Sequence, residues 1–242
     1  GIGSHETTRP EINEIGMNDI RAALRKGVED FAALRSDVIF VVALYPLIGF
    51  VLAFWAFNSG QVHLLFPLIA GFPLVGPVAA IGLYEMSRRR DQGQETDWGA
   101  ALATLTGRVL GPVLMLGFLL AVFFVIWLYA AHLIWAATLG PEPYDSLTVF
   151  LRDTLTTGAG WEMIVIGFGT GFIFAAVVLC VSLVSFPMLI DRPVGVSVAL
   201  ETSLAVARRN PRTTALWGLT VAVALVLGTI PLFDGLIVVL PI

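Results

Sequence analysis

The sequence predicts an all-α polytopic membrane bundle: six transmembrane helices, with three amphipathic helices lying along the cytoplasmic interface. Three observations carry this. The chain of 242 residues is 57% hydrophobic and 13% charged, where a soluble domain has about 25% charged residues. Apolar runs long enough to cross a bilayer, about 20 residues each, recur along it. Its cations fall almost wholly between alternate runs.

Residues 1–16 form a polar N-terminal tail without an apolar core, so no cleavable signal peptide is expected. Residues 17–242 read as one six-helix membrane domain. Val38–Phe57 is the first span, with Ser36-Asp37 suited to cap it. His63–Ser87 is the second, interrupted by Pro67, Gly71, Pro73, Gly76 and Pro77. Asn58-Ser59-Gly60 makes the turn between them. Val109–Leu139 and Trp161–Ile190 exceed the bilayer thickness and must tilt or project. Between them lies Gly140–Gly160, with a short helix expected at Ser146–Thr154. Thr213–Thr229 is the fifth span, and Leu232–Ile242 the start of a sixth after a turn at Pro231.

Charge sets the orientation. Of the 14 Lys and Arg residues, only Arg152 lies in an outward segment. Arg9, Arg21, Arg25, Lys26 and Arg35 precede the first span. Arg88, Arg89, Arg90 and Arg108 follow the second, and Arg192, Arg208, Arg209 and Arg212 follow the fourth. By the positive-inside rule both termini are cytoplasmic, given an even number of spans.

The cytoplasmic segments share a pattern. Ile20, Leu24, Val28, Phe31 and Leu34 form one apolar stripe at helical spacing. Trp98, Leu102, Leu105 and Val109 form a second, and Val196, Leu200, Leu204 and Ala207 a weaker third. A breaker follows each stripe, at Ser36-Asp37, Gly111-Pro112 and Asn210-Pro211. This suggests three repeats of an interfacial helix and a membrane hairpin, at about residues 17–90, 97–190 and 194–242.

Few residues invite a chemical role. The proline- and glycine-rich stretch Phe66–Pro77 must bend or unwind, and Pro187 interrupts the fourth span in the same way. Pro67, Gly71, Pro73, Gly76, Pro77 and Pro187 are therefore candidates either for a substrate path or for packing kinks. Gly167, Gly169 and Gly171 lack the strand that a nucleotide loop requires, so they read as a close helix-packing face. His63 and His132 lie toward the outer ends of separate spans and read as interfacial polar residues rather than ligands. Glu85 and Asp191 sit beside Arg88 and Arg192, where pairing is expected. The lone Cys180 excludes a disulfide framework. No catalytic, cofactor-binding or metal-binding residue is expected, and no cofactor.

Four stretches, Val75–Gly93, Val184–Val194, Arg208–Gly218 and the closing GLIVVLP, resemble a family of bacterial inner-membrane proteins known as a domain of unknown function. Some of its members are labelled cytochrome c oxidase subunits. The resemblance implies an inner-membrane location and a link to a respiratory complex, but defines no catalytic residue. A haem–copper catalytic subunit needs several intramembrane ligands, mostly histidine, that this chain lacks. The first expectation is thus a non-catalytic accessory or scaffold protein, with the bilayer and membrane subunits as partners and no nucleic acid. The alternative is a small transporter or lipid-handling channel built on the kinked helices.

Overall fold

The computed structural model describes residues 11–33, 49–52, 54–56, 58–71, 81–94, 109–140, 142, 144, 146–192 and 194–239. Among them every regular element is helical. In chain order these are α1 (Met17–Ala33), a 3-10 turn (Val62–Leu64), α2 (Leu65–Gly71), α3 (Ile81–Asp91), α4 (Leu110–Thr138), α5 (Leu147–Thr156), α6 (Gly158–Ser182), α7 (Ser185–Asp191), α8 (Val196–Arg209) and α9 (Pro211–Val239). Residues 49–52, 54–56 and 58 are also helical.

Two of the expected spans stand clear. The 29 residues of α4 extend about 43 Å at 1.5 Å per residue, more than the hydrocarbon core. Gly158–Asp191 is the second stretch long and apolar enough to cross a membrane. Gly111 and Pro112 sit in the first turn of α4, where a missing N–H costs nothing. Gly60 ends the helical segment before it at φ 69°, a left-handed conformation that glycine adopts without strain.

The connection between α4 and α6 is built as its sequence suggests. Ser146 caps α5, its Oγ accepting from Val149 N at 3.3 Å, and Thr157 caps α6, accepting from Gly160 N at 3.0 Å. The two helices abut so closely that a Cβ on Gly160 would lie 2.2 Å from the Thr154 carbonyl oxygen. Only glycine fits there.

One expectation needs correction: no turn occurs at Pro231, and one helix runs from Pro211 to Val239, so Thr213–Thr229 and the stretch after it are not two separate spans. A proline inside an apolar helix forfeits one hydrogen bond but need not end it. The buried face of α8 consists of Ala199, Thr202, Ser203, Val206 and Ala207. Of the apolar stripe, Ala207 belongs to that face, and Val196 and Leu200 are partly buried against the core. Small residues allow close backbone approach, and hydroxyls supply hydrogen bonds that leucines cannot. The second amphipathic segment (residues 98–109) lies outside the described residues except for its last. On α1, Ile20 is buried while Leu24 and Val28 are exposed.

The core sits at the basic end. Phe186, Leu189, Leu116, Leu120 and Ala199 are its most deeply buried members, drawn from α4, α7 and α8. The α6–α7 helix breaks at Leu183–Val184, one turn ahead of Pro187. The proline ring lacks an N–H and crowds the carbonyl four residues earlier, that of Leu183. Ser203 of α8 and Ser185 of α7 repair the break. Ser203 Oγ accepts from Val184 N at 3.2 Å and donates to the Cys180 carbonyl at 2.7 Å. Ser185 Oγ donates to the Val181 and Ala199 carbonyls.

Ser203 is fully buried, so its replacement tests this interlock. Ser203→Ala strands the Val184 N–H and should cost about 1–3 kcal/mol. Ser203→Leu should add an overpacking penalty of about 1–3 kcal/mol. Thermal unfolding in detergent should rank wild type above Ser203→Ala above Ser203→Leu.

Candidate functional site

Polar chemistry gathers at the two ends of the bundle. At the basic end, α3 carries Glu85, Ser87, Arg88, Arg89, Arg90 and Asp91 within two turns. Glu85 is fully buried. Helical spacing brings two guanidiniums onto it: Arg88 Nε donates to Oε2 at 2.8 Å and Nη2 to Oε1 at 2.9 Å, while Arg89 Nε donates to Oε1 at 2.8 Å. A buried carboxylate without such partners would be strongly destabilising. The expected pairing of Glu85 with Arg88 is present, and Arg89 joins it.

The neighbouring α3 side chains reach α1. Asp30 accepts from Ser87 and Arg90, and Asp91 pairs with Lys26. The hydrogen bond from Lys26 to Asp91 raises the lysine pKa above its ordinary value. That from Arg88 to Glu85, with weaker attraction from Asp191, likewise holds the Arg88 guanidinium charged. Asp191 and Arg192 lie 3.7 Å apart at the end of α7.

Between α3, α7 and α8 lies a cavity of about 650 Å³. Tyr84, Arg88, Asp191 and Arg192 line it, as does Pro187, one of the expected kink residues. Residues 11–15 lie across it as a strap. Asn210, at the elbow between α8 and α9, pins that strap: Oδ1 accepts from Ile15 N at 2.8 Å, and Nδ2 donates to the Asn13 carbonyl at 3.2 Å. Thr213 Oγ1 donates to the Ile15 carbonyl at 2.7 Å. The Asn-Pro pair thus does more than end a helix.

At the opposite end the structure joins what the sequence left separate. His63 Nε2 and His132 Nδ1 are 3.0 Å apart, sharing a hydrogen bond. The His63 ring stacks on Trp135 with centroids 3.6 Å apart and planes 9° apart. Both histidines were placed at outer span ends, which was the available clue. Their contact depends on helix rotation, which spacing alone does not reveal. Among the described residues no group of three or more His, Cys, Asp or Glu side chains comes together to hold a metal.

The remaining candidates divide. Pro67 stands in the first turn of α2, and its carbonyl accepts from Trp127 Nε1 at 2.9 Å. The same indole faces Gly171, where a Cβ would lie 3.1 Å from the ring. Trp127 therefore connects Pro67 with Gly171, a role the sequence reading missed. Nothing lies within 4 Å of a Cβ built on Gly167 or Gly169. Gly71 closes α2, and Pro73, Gly76 and Pro77 lie outside the described residues.

Residues 65–191, more than half of the chain, match the family described as predicted integral membrane protein (DUF2189), and the chain belongs to that family. The description assigns no oxidase role. No curated protein and no solved structure matches the chain.

Removing the Glu85 carboxylate leaves Arg88 and Arg89 facing each other in a buried site. Glu85→Ala is expected to cost about 3–5 kcal/mol, read as a lowered unfolding temperature. Glu142→Ala, at an exposed position, should change it little.

Proposed function

From membership of this family of integral membrane proteins, we propose that the chain is a non-catalytic protein that works by association, as an accessory or scaffold component of a membrane assembly. The observation that best supports this is the outward surface of the two long helices. Phe118 on α4 and Phe172 on α6 are 71% and 75% exposed, and Met115, Val125, Val165 and Phe168 are exposed beside them. Apolar surface of this extent suits acyl chains or the helices of a neighbour. The inner membrane is the proposed location, multi-pass, with the N-terminus and the cationic segments on the cytoplasmic side, from the cation asymmetry. The single helix from Pro211 to Val239 removes the sixth span that a cytoplasmic C-terminus required. A respiratory complex is the setting suggested by the oxidase label that some family members carry.

A second reading, a small transporter or lipid-handling channel, draws support from the cavity beside Pro187 and the broken helix that borders it. A path for substrate needs irregular backbone lining a cavity at membrane depth. The cavity beside Pro187 lies at the charged end of the helices instead, which favours the scaffold reading.

Purification in mild detergent followed by native mass spectrometry tests association. A membrane protein should be retained in fixed ratio and lost from a Phe118→Asn, Phe172→Asn variant that still folds. Solute uptake into proteoliposomes by the isolated protein would favour the second reading. Orientation is tested separately with an impermeant maleimide in a Cys180→Ala background. Thr148→Cys, exposed on α5, should label on intact cells, and Ser197→Cys, exposed on α8, only after permeabilisation.

A further inference from the structure

The half-open cavity at the basic end carries charges of both signs on its walls: Arg88 and Arg192 on one hand, Glu11, Asp91 and Asp191 on the other. Arg88 is also bonded to Glu85, and Asp91 to Lys26. Asp191 lies close enough for its charge to act on Arg88. Beside them are apolar side chains, among them Pro187 and Met188. A volume of about 650 Å³ is in the range of small-molecule sites. Its position among the cationic segments corresponds to the headgroup layer, where a lipid presents phosphate and acyl chain to the same wall.

We propose that this cavity is the headgroup site of an aminophospholipid. The phosphate docks against Arg88 and Arg192, the primary ammonium against Asp91 and Asp191, and the upper acyl chains lie over Pro187 and Met188. Charge complementarity selects this occupant. An anionic lipid would satisfy the guanidiniums and leave the carboxylates facing negative charge. A quaternary ammonium carries no N–H to donate to them. A phosphate and a primary ammonium held on one short linker meet both sets through charge-assisted hydrogen bonds. The break before Pro187 shapes the site, because α7 departs there from the line of α6. The proposal requires a membrane setting, but neither a partner subunit nor a transport path.

The test uses the intact protein in nanodiscs holding equal amounts of phosphatidylethanolamine, phosphatidylglycerol and phosphatidylcholine, with retained lipid read by native mass spectrometry. Phosphatidylethanolamine should be retained over both others. Arg192→Gln should lower its retention about tenfold, the loss of one charge-assisted contact. Asp191→Asn should abolish the preference for phosphatidylethanolamine over phosphatidylcholine. Both side chains are more than half exposed, so the fold should persist, and an unchanged unfolding temperature verifies it. Preferential retention of phosphatidylglycerol, equal retention of all three, or insensitivity to both variants would overturn the proposal. Displacement of the lipid by millimolar inorganic phosphate would overturn it too, pointing to a free phosphate ion as the occupant.

Discussion

A carboxylate without access to water dominates the basic end of this protein. Glu85 has no exposed surface, and burying it uncompensated would cost several kcal/mol. The chain meets this cost locally, with guanidiniums three and four residues on. Those contacts require α3 to stay helical through Arg89. Continuing that helix brings Arg90 and Asp91 to Asp30 and Lys26 on α1. The amphipathic N-terminal helix is therefore attached by its polar face, which leaves Leu24 and Val28 outward. An interfacial helix tied in this way can lay its apolar side against lipid.

A second constraint arises in the apolar stretch Gly158–Asp191. Pro187 deprives Leu183 of its helical hydrogen bond, and Val184 N–H loses regular helical geometry. In an apolar environment such groups must be satisfied within the protein. Ser203 and Ser185 do this for Val184 N–H and the Cys180 and Val181 carbonyls. Because Ser203 and the Ala199 carbonyl that Ser185 also reaches belong to α8, that helix must press against the break. The small face of Ala199, Ser203 and Ala207 permits it.

These two constraints explain which features were legible in sequence. Apolar length is a direct requirement of the bilayer, so α4 and Gly158–Asp191 could be read within a few residues. The cap at Ser146 depends only on local chemistry, and it too was readable. The pairing of Glu85 with Arg88 follows from helical spacing. The small, hydroxyl-bearing face of α8 was not legible, because the need for it arises at the Pro187 break and not in the periodicity of α8 itself. Contact between His63 and His132 depends on the relative rotation of two elements, which no periodicity encodes. The continuity of α9 through Pro231 was missed for a related reason. Proline announces a lost hydrogen bond, but not whether the helix survives it.

The two ends settle their polar groups differently. At the end opposite the basic one, His63 hydrogen-bonds to His132 and stacks on Trp135, while Arg152 and Asp153 lie 3.6 Å apart on α5. At the basic end ion pairs join α1 to α3, and neutral hydrogen bonds hold residues 13–15 to the elbow at Asn210. Ion pairs near water are individually weak and exchange readily with other charged partners. Buried Glu85 keeps its guanidiniums regardless, whereas Arg192 and Asp191, 3.7 Å apart and more than half exposed, stay close to solvent. A ligand bearing both charges can replace that long pair with shorter contacts and leave the Glu85 clamp intact. At the proposed site Arg192 and Asp191 serve recognition alone, whereas Arg88 and Asp91 also hold the fold through Glu85 and Lys26.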